Sequence, residues 1–242
     1  MICKMEKEIL IETKDKFQIK GILNSSKNAT NKLIIFVHGL TGHKNEHLFF
    51  NGAKYFSQRN FDTFRFDLYS GDKRARRLLN CTIKTHSRDL ETVLNYFKEK
   101  YSEIFLVGHS LGGPTILWAN HSVVKSVVLW DPAFKILETF SNELQFNKEW
   151  GVYVVDWGTE FLLSKEMVEE WRFLDERILS HFVRPTKIIC AEKGILEKSW
   201  KESMEKISVE TAFTSIKNAG HCFDEEGTEE QLFEETLKWF ER

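Results

Sequence analysis

A serine stands between glycines at Gly108-His109-Ser110-Leu111-Gly112, the pattern G-x-S-x-G. A serine hydroxyl becomes a working nucleophile when a sharp turn exposes it and a nearby base takes its proton. The surroundings suit that chemistry. Ile104 to Val107 reads as a short apolar strand, and helical sequence begins near Pro114, so Ser110 falls at a strand–turn–helix junction. A serine at such a tip takes strained dihedrals. Side chains two positions either side would collide with the adjoining strand and helix, which explains Gly108 and Gly112. The helix start also aims backbone N–H groups at any developing anion. On its own the pattern equally describes a glycine-rich turn whose serine caps a helix.

Two further segments carry the groups such a nucleophile needs. His221, in Asn218-Ala219-Gly220-His221, follows a predicted strand and is the last histidine of the chain. From a loop at the strand ends it can accept the serine proton. Val37-His38-Gly39-Leu40 follows the apolar run Leu33 to Val37. A tetrahedral intermediate needs two preorganised N–H donors, and the backbone N–H groups of Leu40 and Leu111 are the expected pair. Because the backbone acts there, the leucine side chains are no objection. His86, His121 and His181 lie in no motif. His43 and His47 have the spacing of helical metal ligands, but no further ligand is in register, so neither a metal nor another cofactor is expected.

The elements that must hold these residues alternate. Ile9 to Thr13 and Phe17 to Leu23 flank the polar turn Lys14-Asp15-Lys16 and predict a hairpin. Leu33 to Val37, Thr63 to Phe66, Ile104 to Val107, Val127 to Trp130, Lys187 to Cys190 and Ala212 to Ile216 read as strands. Glu46 to Gln58, His86 to Lys98, Lys198 to Ile207 and Thr228 to Phe240 have helical spacing. This order predicts a mostly parallel sheet covered on both faces. One stretch breaks it. The segment between the sixth and seventh strands far exceeds the ~10–12 residues of a minimal crossover. It is rich in aromatics (Phe140, Phe146, Trp150, Tyr153, Trp157, Phe161) and predicts a small hairpin and a helix over Lys165 to Phe173. We read residues 134–184 as a cap over the strand ends, within a single domain spanning 1–242.

Composition narrows the classes. Hydrophobic residues make up 42% and charged residues 29% of the 242, as in an ordered globular chain. A formal net charge of −2 supplies no basic field for nucleic acid. No apolar run approaches the ~20 residues of a membrane helix, and the first residues lack the apolar core of a secretory signal. Cys3, Cys81, Cys190 and Cys222 form no C-x-x-C pair and read as free thiols, so a cytoplasmic setting is expected.

Taken together, the His-Gly loop, the segment Phe64 to Asp67, Gly108 to Gly113 and Gly220-His221 resemble, in type and order, the α/β-hydrolase superfamily, over nearly the whole chain. The pattern is most similar to the small esterases of the feruloyl/cinnamoyl type, which also carry an insertion after the sixth strand and a His-Cys-Phe near the end, as in His221-Cys222-Phe223. The resemblance implies an α/β-hydrolase fold with a small cap insertion after the sixth strand, and cofactor-free hydrolysis of a small ester or thioester. It also implies the triad order Ser, acid, His. Fold alone does not set the reaction.

The acid departs from the family pattern. The family's G-x-x-D turn after the seventh strand reads here Ala191-Glu192-Lys193-Gly194, with glycine at the acid position. Asp131, in Leu129-Trp130-Asp131-Pro132-Ala133, is the first alternative; some lipases of this fold take their acid from that strand end. It could also be a turn cap before Pro132. Glu192 or Glu197, longer carboxylates near the usual loop, are the second. The third is that no acid exists. Around the site, Lys73-Arg74-Ala75-Arg76-Arg77 is either a solvated loop or an attractor for an anionic substrate or an acidic carrier protein. The leading expectation is a serine carboxylesterase. A thioesterase or acyltransferase using the same acyl-enzyme, and a non-catalytic binding protein on this scaffold, are the alternatives.

Overall fold

A computed structural model describes residues 6–242. The hairpin forms from β1 (Glu6–Glu12) and β2 (Gln18–Asn24), paired antiparallel from Glu6↔Asn24 to Glu12↔Gln18. β3 (Lys32–Val37), β4 (Asp62–Phe66), β5 (Glu103–His109), β6 (Ser126–Trp130), β10 (Thr186–Ala191) and β11 (Thr211–Ile216) complete one eight-stranded sheet, ordered β1-β2-β4-β3-β5-β6-β10-β11. From β4 to β11 every pairing is parallel.

The strands read as unbroken apolar runs because helices cover both faces. In β3, Leu33, Ile35 and Val37 join one core, whereas Ile34 and Phe36 join the other. α1 (His47–Ser57) and α7 (Thr228–Phe240) close the second face through Leu48, Phe49, Phe56, Leu232 and Phe233. α2 (Ile83–Phe97), α3 (Gly112–Trp118) and α6 (Glu197–Ser203) close the first through Leu90, Val93, Ile116 and Trp200. Each parallel crossover thereby leaves its loop at the same end of the sheet, where the ends of β3, β5, β6 and β10 converge.

Several elements differ from expectation. α2 starts at Ile83 rather than His86, because Thr82 and Thr85 form a reciprocal capping box; the Thr85 N–H donates to Thr82 Oγ1 at 3.2 Å and the Thr82 N–H to Thr85 Oγ1 at 2.8 Å. Threonine in place of the usual Glu or Gln hides that signal. α3 starts two residues before Pro114. The segment between β6 and β10 holds three strands, not two. β7 (Leu144–Asn147), β8 (Val152–Asp156) and β9 (Glu160–Ser164) form a separate antiparallel sheet, with turns eased by the positive φ of Gly151 and Gly158.

A short helix, α4 (Ile136–Phe140), precedes that sheet, and α5 (Lys165–Arg177) follows it, capped by the Ser164 hydroxyl accepting from the Met167 N–H at 3.1 Å. Val155, Leu163, Met167 and Trp171 form a third core together with Leu111 beside the predicted nucleophile. Among the described residues no helix is long and apolar enough to cross a membrane. Cys81, Cys190 and Cys222 are free; Cys3 lies outside the described residues.

Candidate active site

Ser110 sits where β5 turns into α3, with φ of 53°, a left-handed conformation that a non-glycine residue adopts only when its surroundings hold it. They do. The Ser110 N–H donates to the Trp130 carbonyl at 3.0 Å, and the Ser110 carbonyl accepts from the N–H groups of Gly113 and Ala133, both at 3.0 Å. The flanking glycines are a matter of space. A Cβ at Gly112 would lie 2.1 Å from the Val37 carbonyl oxygen, and one at Gly108 would lie 2.7 Å from the Gly112 carbonyl oxygen. Gly39 is equally constrained: its Cβ would fall 2.8 Å from that of Ser110.

His221 lies on the loop between β11 and α7. Its Nδ1 is 2.5 Å from Asp131 Oδ2. Asp131, at the end of β6, has φ of 38° and is fully buried. An isolated carboxylate there would cost several kcal/mol in lost hydration. Its second oxygen accepts from the Ala191 N–H at 3.1 Å, and its own N–H donates to the Ile189 carbonyl at 2.7 Å. With Nδ1 donating to the carboxylate, Nε2 of the neutral His221 ring keeps its lone pair. His109, inside the serine motif, donates from Nε2 to the His221 carbonyl at 2.9 Å. Burial pushes His109 down to about 3, so the ring is a neutral, fixed donor at neutral pH.

The alternative acids do not reach His221. Glu192 accepts from the Asn218 N–H at 2.9 Å, and Glu197 binds Lys201 at 2.6 Å and the Ser215 hydroxyl at 2.5 Å. Gly194 has a different part: a Cβ there would lie 3.1 Å from Asp131 Oδ2, so the missing side chain leaves room for the carboxylate.

The N–H groups of Leu40 and Leu111 have no acceptor among the described residues, and both residues line the cavity that holds Ser110. What aims the Leu40 donor was not legible from the motif. The Gly39 carbonyl accepts from His38 Nδ1 at 2.8 Å, the Tyr69 hydroxyl at 3.2 Å and the Gly42 N–H at 3.3 Å. His38 Nε2 in turn accepts from the Leu68 N–H at 2.9 Å, which leaves Nδ1 as the protonated nitrogen. In a trans peptide C=O and N–H point opposite ways, so tethering Gly39 outward turns the Leu40 N–H away from the tether. Burial lowers His38 to about 4 and pushes the Tyr69 phenol up, so both donors keep these states across neutral pH.

Ser110, His221 and Asp131 line one cavity of about 440 Å³. Ile136, Phe140, Leu144, Val155 and Trp157 of the inserted segment form an apolar wall, and Glu46, Lys193 and Cys222 bring polar groups to it. His47, one of the paired histidines, is bound by Asp224 and Glu229, both at 2.9 Å, rather than sharing a ligand set with His43. The basic run is partly structural: Arg76 is buried against Asp89 at 2.6 Å, and Arg74 pairs with Glu12 at 3.1 Å. Arg77 lines a second cavity with Lys44, Asp67 and Tyr69, apart from the one holding Ser110.

A parallel sheet wrapped by helices, with a strained serine at a strand–helix turn and a histidine–carboxylate pair at the strand ends, defines a hydrolase architecture. The chain belongs to the alpha/beta hydrolase fold family, whose model matches residues 32–193. No curated protein matches the sequence. Among solved structures it is similar to Est1E from Butyrivibrio proteoclasticus, with 21% identity over 97% of this chain and 99% of that one, at a TM-score of 0.77. Est1E with bound ferulic acid matches at 20% identity, 97% and 100% coverage and a TM-score of 0.79. The esterase domain of a Rhodothermus marinus protein matches at 18% identity, 97% coverage of each chain and a TM-score of 0.74.

Proposed function

We propose that the protein is a serine esterase acting through an acyl-enzyme on Ser110. The observation that carries this reading is the 2.5 Å contact of His221 with buried Asp131, at the same cavity as the left-handed Ser110. His221 Nε2 takes the Ser110 proton as Oγ attacks the acyl carbon. The Leu40 and Leu111 N–H groups hold the oxyanion, and Asp131 stabilises the imidazolium. His221 then returns the proton to the departing alcohol. Water, activated by the same ring, releases the acid. The glycine at position 194 argued for a disabled scaffold; Asp131 in contact with His221 supports a working site instead.

Residues 134–184 act in this reading as a cap whose apolar wall takes the acyl or aryl group. The likeness to Est1E, which binds ferulic acid, makes aryl-alkenoyl esters a first class to try. The free thiols of Cys81, Cys190 and Cys222 suit a reducing compartment. The test is turnover of p-nitrophenyl esters of increasing acyl length by wild type and Ser110→Ala, with fluorophosphonate labelling beside it. Turnover and labelling that vanish together in the variant support the reading. Wild-type protein that neither turns over an ester nor labels at Ser110 overturns it.

A further inference from the structure

The charged residues of the cavity are not equivalent. Asp131 is bound by His221 and the Ala191 N–H, and Lys193 is exposed. Glu46, just before α1, is half-buried, and no cation pairs with its carboxylate among the described residues. The basic side chains flanking it in sequence are committed elsewhere or solvated. Lys44 binds Asp67, His47 binds Asp224 and Glu229, and His43 is exposed. Room is kept for the carboxylate, since a Cβ at Gly42 would lie 2.9 Å from Glu46 Oε2. Burial pushes this carboxyl above its usual range, outweighing the opposing effect of His43, His47 and His221.

Its position says which half of a substrate it meets. Glu46 lines the same cavity as His221 and Cys222. The leaving oxygen must approach His221, which returns its proton. The acyl half has the apolar wall of the inserted segment. We infer that Glu46 forms a subsite for the alcohol half of the ester and favours alcohols that present a cationic or hydroxyl group to its carboxylate. The inference rests on the esterase reading.

The test compares butyrate esters in matched pairs: choline against its uncharged isostere dimethylbutanol, and glycerol against propanol, with a carboxypropyl ester as the anionic probe. In wild type the choline and glyceryl esters exceed their neutral partners in kcat/KM by about fivefold to tenfold, and the carboxypropyl ester falls below propyl. Glu46→Gln brings the choline ratio towards one, and Glu46→Lys inverts it. A gain for choline alone identifies charge as the recognised feature; a gain for glyceryl alone identifies the hydroxyl. Ratios within twofold in wild type, or ratios unchanged in Glu46→Gln, overturn the subsite. If the propyl and dimethylbutyl esters are cleaved by a Ser110-dependent route without discrimination, the subsite alone fails. If no ester is cleaved that way, the esterase reading fails and takes the subsite with it.

Discussion

The neighbouring strands β6 and β10 run parallel, with Trp130 opposite Ile189, yet their ends do opposite things. β6 ends in Asp131, a fully buried carboxylate in contact with His221. β10 ends in a turn whose Gly194 has no side chain and comes so close that a Cβ would lie 3.1 Å from that carboxylate. Adjacent strands are only about 4.8 Å apart, so a side chain from either end reaches the same point. In the proposed triad the acid is thus defined by a position beside His221 Nδ1, not by a strand. The glycine at the family's acid position leaves space for the carboxylate proposed to act as the acid.

The strongest way to break this comparison is Asp131→Asn. The amide keeps the shape but favours the wrong histidine tautomer, and kcat should fall about 10³–10⁴-fold with the fold intact. Near wild-type turnover, with an unchanged circular dichroism spectrum, would remove Asp131 from the mechanism. Moving the carboxylate is the sharper experiment. Asp131→Gly combined with Gly194→Asp should recover about tenfold to a hundredfold over Asp131→Gly alone, because the new carboxylate starts from within reach of the vacated position. No recovery would make the β6 end the only working source.

Gly194→Ala asks less of the site. Its methyl meets Asp131 Oδ2 at 3.1 Å and the Ala191 carbonyl oxygen at 3.0 Å, so the carboxylate shifts by a few tenths of an ångström. A loss of about threefold to tenfold in kcat is expected. An unaffected variant would mean the turn gives way instead. At the loop that carries the proposed oxyanion donor Leu40, Tyr69→Phe removes one of three donors to the Gly39 carbonyl. Since His38 and Gly42 remain, kcat should fall only about threefold to tenfold, with KM little changed. A change confined to KM would assign Tyr69 to substrate binding.

The smallest effect concerns stability. Burial holds His38 at about 4 and His86 and His109 at about 3, against 6.5 for an ordinary histidine. The unfolded chain therefore binds protons first as pH drops below 6.5. Stability should be flat above that pH with respect to these groups and decline from about 6.5 towards 4. Neither ring nitrogen of His86 has a hydrogen-bond partner among the described residues, so His86→Leu should make that decline shallower in urea titrations at successive pH values. A slope unchanged in the variant would exclude His86 from the proton uptake.

Much of the architecture was legible because it is written in local pattern. Strands buried on both faces read as unbroken apolar runs, and α7 occupies the predicted Thr228–Phe240 span. The third strand of the insertion was missed because β7 is only Leu144–Asn147, too short to display an alternation. Tyr69, His109 and Glu46 escaped notice for another reason. The tyrosine and the glutamate lie in no motif, and His109 lies inside one that does not explain it.

The sequence by itself determined the serine turn, the His-Gly loop after β3 and the terminal histidine loop. Each depends on backbone geometry among residues a few positions apart, which only certain residue types permit. It also left three readings of the acid: Asp131, one of Glu192 and Glu197, or none. Only the tertiary structure brings Asp131 to His221, through the packing of β6, β10 and the loop after β11, with neither local sequence specifying the other. A carboxylate needs no special backbone signature to orient a histidine. It needs to arrive at one point, and several loops can deliver it there.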